Sequence, residues 1–163
     1  MKKVLTIAVF LATCAGAQTK ISGTGKCGKP EQQQSIEVGD RPGHVLAIVK
    51  QSCTWTTPIE MAGVKSKEYT AVISSDISGG KANDRGYVIV TMDNGDKVFV
   101  RVNSGTSMMG KDGGAMSDEG TWSYAGGTGK FKGLKGKGSY KGKAGADGFE
   151  DQIEGDYMLP AGK

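Results

Sequence analysis

Apolar and polar residues alternate along much of this chain with a period of two, and no helical period persists for three turns. The apolar runs are short and are cut by Gly, Asn, Asp and Ser, which is the pattern of an all-β chain. Strands are predicted near residues 19–26, 33–38, 44–56, 68–76, 86–92, 97–103, 119–125, 134–141 and 149–158.

The sharpest turn signal is Asp93-Asn94-Gly95-Asp96, because Asn-Gly accepts the positive φ angles of a two-residue hairpin turn. Pairing Met92 with Lys97 then sets Tyr87, Ile89 and Thr91 against Val98, Val100 and Val102 as the core face. Val88, Val90 and Met92 fall on the outer face, as an apolar strip around Phe99. Toward the C-terminus, Phe149, Ile153, Tyr157 and Leu159 share one parity with Asp151, while Glu150, Gln152, Glu154 and Asp156 share the other. Pairing Lys141 with Glu150 matches Lys137 to Glu154 and Lys135 to Asp156, and sets Ile153 against Gly138 and Tyr157 against Leu134.

Residues 120–140 (GTWSYAGGTGKFKGLKGKGSY) are the most informative stretch. Trp122 and Tyr124 form an aromatic strand face, and Thr128 to Gly133 reads as a tight turn. Leu134, Gly136, Gly138 and Tyr140 then share an inner face opposite Lys135, Lys137, Ser139 and Lys141. Small inward residues facing large ones are how a narrow barrel fills its interior. The GTGKFKG-L-KGKGSY pattern, preceded by GTWSY, resembles the allene oxide cyclase-like barrel superfamily. That superfamily includes plant allene oxide cyclases, dirigent-type proteins and short uncharacterised secreted bacterial proteins, and the likeness is greatest to the bacterial group. The resemblance implies a single antiparallel β-barrel of about eight strands. It assigns no residue of this chain a role, because members of the superfamily do different things.

Residues 1–17 read as a signal peptide: Lys2 and Lys3, an apolar run over residues 4–12, and Ala15-Gly16-Ala17 before a cleavage point at Gln18. The alternative is a lipoprotein anchored through Cys14, with Thr13 an unusual residue before that cysteine. The domain then spans residues 18–163, and the chain is expected to be exported, periplasmic or extracellular, with no transmembrane segment. Losing Lys2 and Lys3 from 21 basic residues against 17 acidic ones lowers the net charge from +4 to about +2. So balanced a chain is not an electrostatic nucleic-acid binder. Cys27 and Cys53 remain, and in an exported chain two cysteines read as one disulfide, with free thiols as the alternative.

Candidate chemistry is sparse. Trp122, Tyr124 and Tyr140 are the expected wall of a site for a small apolar ligand. Asp151 is the odd acid on an apolar face, read either as a ligand-orienting group or as a hydrated residue at the barrel end. Residues 105–111 imitate a phosphate-binding loop, but no Ser or Thr follows Lys111. Residues 103–118 read as a long Gly-rich loop carrying Met108, Met109 and Met116. His44 stands alone and is taken as a surface turn residue, and Arg41 and Arg85 as loop-end ion pairs. No catalytic residue, metal site or cofactor is assigned, and nothing fixes an oligomeric state. The expected function is non-catalytic binding of a small apolar ligand or a partner. A lyase- or isomerase-type enzyme acting on an apolar substrate inside the barrel is the first alternative. Binding to an anionic surface or polymer through the lysine-rich strand is the second.

Overall fold

The computed structural model describes residues 18–111, 113–145 and 148–160, so the expected signal peptide and Cys14 lie outside the described residues. All nine expected strands form: β1 (Thr19–Cys27), β2 (Gln32–Glu37), β3 (Val45–Thr57), β5 (Val64–Ser78), β6 (Lys81–Met92), β7 (Lys97–Met109), β8 (Ala115–Gly127), β9 (Lys135–Gly145) and β10 (Gly148–Met158). A short β4 (Glu60–Met61) is added. It turns into β5 through Ala62 and Gly63, both at positive φ. Alanine rarely takes that conformation, so the sequence carries no signal for this turn. The turn is held by Lys130 Nζ, which donates to the Ala62 carbonyl (2.6 Å), and by the Ala62 N–H, which donates to the Tyr157 hydroxyl (2.8 Å).

Eight of the strands form a closed antiparallel barrel in the order β1-β10-β9-β8-β7-β6-β5-β3, with β3 paired to both β5 and β1. The first and last strands are therefore neighbours. Closure leaves the wall without a free edge. Outside it, β2 continues the path of β1 along β3, pairing residues 32–37 with residues 45–50. The β1–β3 seam is the shortest in the wall, with four paired positions and a bulge between Thr24 and Gly25. Its last pair is Cys27 with Cys53, joined as a disulfide (Cα–Cα 4.1 Å).

Three local expectations are corrected. The 93–96 hairpin keeps its turn residues but not its register. The Gly95 N–H bonds to the Met92 carbonyl, Gly95 adopts φ 83°, and Asp96 is an extra residue, so Thr91 rather than Met92 pairs with Lys97. A one-residue slip exchanges the two faces of a strand. Val90 and Met92 are accordingly buried with Val98 and Val102, whereas Tyr87 and Ile89 lie outside beside Phe99.

The expected loop over residues 103–118 is instead two strands joined by a short turn, with Met108 and Met116 exposed outside. Alternation was hidden there because the inward positions are small: Gly105 and Ser107 on β7, Gly120 on β8. A side chain at Gly105 or Gly120 would collide with the Tyr140 hydroxyl.

Between β9 and β10 the faces are as expected but the register is two residues away. Lys143 faces Glu150, Lys137 faces Asp156, Ile153 faces Tyr140, and Tyr157 faces Gly136. Lys137, Lys141 and Lys143, exposed on β9, still lie beside acids. Lys141 approaches Glu119 of β8 at 3.9 Å, and Asp156 lies 3.9 Å from Lys20 of β1.

One end of the barrel is packed solid. Phe131 from the single-turn 3-10 helix (Gly129–Phe131), Leu134, Met92, Val98, Ile59 and Met61 are buried together. Burial of each such side chain contributes roughly 1.5–3 kcal/mol. No helix among the described residues is long and apolar enough to cross a membrane.

Candidate functional site

Above that packed end the barrel holds a half-open cavity of about 380 Å³. It runs from Met61 and Val98 to the turn at Gly113 and Gly114. Its wall is mainly Val, Ile, Ala and aromatic side chains, and Trp122, Tyr124, Tyr140 and Asp151 all line it. Trp122 fits because Gly138 and Gly155 leave no side chain against its indole, and its N–H donates to the Ser139 carbonyl (3.2 Å). Tyr124 stands at 63° to Trp122 with ring centres 4.9 Å apart, and its hydroxyl contacts the Met61 sulfur at 3.3 Å.

Two adjacent inward rows of the wall carry the polar chemistry. One runs Ser107–Asp118–Gly142–Asp151–Gly25–Trp55 across five neighbouring strand pairs. The other runs Ser75–Asp84–Gly105–Gly120–Tyr140–Ile153. Glycine occupies the position between the acids of the first row. The Oδ1 atoms of Asp118 and Asp151 share the space that a side chain at position 142 would fill. Neither Oδ1 has a hydrogen-bond donor from the protein. Two carboxyl groups meeting without a donor hold together when one proton lies between them.

Burial, then the Asp151 charge, pushes the Asp118 carboxyl up to about 7. Burial likewise pushes Asp151 up to about 6, opposed by its hydrogen bond with Asp118. Asp84 is held differently. Its two carboxylate oxygens accept from Ser75 Oγ (2.5 Å) and Ser107 Oγ.

Two tyrosines close over the acids. The Tyr69 ring leans on Trp55 (4.7 Å between centres), and its hydroxyl occupies the space left by Gly25, 3.5 Å from Cys27 Sγ. Burial raises the Tyr69 phenol, and the charges of Asp151 and Asp118 raise it further. Burial also raises Tyr140, and the Asp118 charge raises it further. Both phenols therefore stay protonated and can donate toward an acid or a bound molecule. The disulfide forms part of the wall, with Cys27 Sγ 4.0 Å from Asp151 Oδ2.

Asp151 thus faces the cavity beside a second acid, rather than sitting hydrated at the barrel end. Asp84, Asp118 and Tyr69 were not singled out from the sequence. Asp118 carried a signal, the same parity as Trp122 and Tyr124, but it fell in a segment without apolar alternation. Met109 of the methionine segment lines the cavity. His44 is not a free surface group. Nδ1 contacts Asp40 Oδ1 (2.5 Å) and Nε2 contacts Asp76 Oδ1 (2.9 Å), and the bond to Asp40 raises its pKa. Arg41 pairs with Asp40 (2.7 Å), a loop-end ion pair as expected. No group of three or more His, Cys, Asp or Glu among the described residues is arranged to hold a metal ion.

No protein-family model matches the chain, and no curated protein is significantly similar to it. Solved structures do match. A pterocarpan synthase dirigent protein superposes with a TM-score of 0.55 at 13% identity, covering 93% of this chain and 90% of its own. A conserved protein of unknown function from Rhodopseudomonas palustris reaches 0.49 at 14% identity, covering 90% and 100%. A pyocyanin demethylase reaches 0.45 at 14% identity, covering 82% and 98%. The chain has the barrel fold of the dirigent protein, the fold implied by the resemblance of residues 120–140.

Proposed function

We propose that the barrel binds one small, mostly apolar molecule and transfers a proton on it, with Asp118 and Asp151 acting as acid and base. This is a lyase- or isomerase-type activity, and it takes precedence over binding alone. The observation that carries it is the carboxyl pair itself, two acids converging at Gly142 on the wall of a mainly apolar cavity. Near neutral pH such a pair holds about one proton, so one member can donate while the other accepts. Tyr69 and Tyr140, protonated and next to the pair, would orient a polar atom of the substrate. Trp122 and Tyr124 would pack on its apolar body. The superposed dirigent protein, a pterocarpan synthase by name, is compatible with an enzyme in this fold, but fold alone does not assign the reaction.

We also place the protein outside the cytosol, released from a leader ending at Ala17. The disulfide favours an oxidising compartment. The lysine-rich strand is not the site in this reading, because acids flank it on β8 and β10.

The test uses the molecule that co-purifies with the exported protein. Wild type should convert it, or exchange one of its hydrogens with deuterated solvent, and Asp118→Asn with Asp151→Asn should slow this by about 10²–10⁴-fold without abolishing binding. Unchanged turnover in the double variant would refute the acid–base assignment. Binding without turnover in wild type would leave a non-catalytic carrier.

A further inference from the structure

The lining of the cavity is electrically one-sided. Among the described residues it contains three carboxyl groups, Asp84, Asp118 and Asp151, and no Lys, Arg or His. The chain as a whole has more basic than acidic residues, so this imbalance is local. Acids buried without a counter-charge are costly, and folded proteins rarely keep them without something to pair them with. Serines satisfy Asp84, but Asp118 Oδ1 and Asp151 Oδ1 meet each other and no further protein donor. Trp55 and Tyr69, packed on each other, line the same cavity, and the Trp55 N–H is itself unpartnered. A site built from carboxylates and aromatic faces recognises positive charge on an organic body. A metal ion is a poor fit, because no group of three or more ligating side chains is arranged for one.

From this charge balance we propose that the bound molecule is a small organic cation, an amine, iminium or N-alkylated heteroaromatic, with its positive nitrogen facing the Asp118–Asp151 pair. The aliphatic and aromatic wall takes the rest of it. The inference rests on the cavity being a ligand site, as proposed above, and it names the class of ligand. The groups facing the nitrogen are Asp118 on β8, Asp151 on β10, Asp84 on β6, Tyr69 on β5 and Tyr140 on β9. Asp118 and Asp151 gain or lose charge as the pH passes through neutrality, while the phenols, being raised, do not. Cation binding should therefore strengthen as the pair ionises.

The experiment compares three probes of nearly one shape: N-methylquinolinium, 1-methylnaphthalene and 2-naphthoate. Binding to the exported protein is followed by the fluorescence of the cavity tryptophans, Trp55 and Trp122. The cation should bind about tenfold or more tighter than the neutral probe at pH 8, and the anion should not bind. The advantage should shrink on lowering the pH to 5, and should vanish in the Asp118→Asn, Asp151→Asn double variant. If the neutral probe binds as tightly as the cation, the charge inference is overturned while the cavity stands as a ligand site. It is overturned equally if the cation's advantage survives in the double variant. If none of the three binds, the ligand site itself is refuted.

Discussion

Glycine decides where the acids and aromatics of this barrel can stand. Gly142 separates Asp118 from Asp151, Gly25 admits the Tyr69 hydroxyl, and Gly138 and Gly155 admit Trp122. The consequences of filling these gaps differ with what is met there. At Gly142 an alanine meets the ends of two Asp side chains and the Phe149 ring edge, which can shift. Gly142→Ala should change stability by less than about 1 kcal/mol, while parting the carboxyls and lowering their titration, measured by carboxyl NMR. At Gly138 an alanine meets the Glu154 backbone carbonyl and the fixed Trp122 indole, and should cost about 1–3 kcal/mol in urea unfolding. The acids also set a pH dependence. Asp118 and Asp151 titrate higher in the folded barrel than the ordinary carboxylate value of 3.8, so the folded state holds protons the unfolded chain has released. Their contribution to stability is full below about pH 4 and is lost as the pH rises through about 6 to 7. Asp118→Asn should raise the melting temperature by several degrees at pH 8 and by little at pH 4.

Among the elements, the β1–β3 seam is the one a covalent bond supports. It has four paired positions against ten between β3 and β5, and the Cys27–Cys53 bridge closes its last pair. A loop closed over 26 residues stabilises by roughly 3 kcal/mol through the unfolded chain. Reduction should lower the unfolding free energy by about that amount, and hydrogen exchange should show protection lost at residues 24–27 before the β6–β7 pair. Protection lost evenly around the wall would contradict this role. Parity made the strands legible in the sequence, and with them the inward placement of Trp122, Tyr124, Tyr140 and Asp151. Register was not legible, because it depends on turn geometry. One extra residue at Asp96 exchanged the faces of Val88 and Ile89, which are chemically alike and so gave no warning. Asp118 and Asp84 stayed hidden for a related reason. Neither lies among large alternating apolar residues, and the neighbouring inward positions Gly105 and Gly120 are glycine, because Tyr140 fills the interior there. That contact spans 35 positions between Gly105 and Tyr140, beyond the reach of any local pattern.

For the whole molecule, closure of the sheet creates the site. The packed end, built from Phe131, Leu134 and the 59–61 segment, forms the floor of the interior. The open stretch of the interior then leaves about 380 Å³ against the carboxyl pair. A core meant only for stability would fill that space with Leu or Ile, since an unfilled apolar volume costs stability. The central claim is that this space is kept for a ligand. The most direct measurement is native mass spectrometry of the exported protein, purified from its own host without denaturation. The account expects one small molecule per chain, released on unfolding, with a chain mass that begins at Gln18 and contains the Cys27–Cys53 bridge. A bare folded chain that also takes up none of the three charge-matched probes would contradict it.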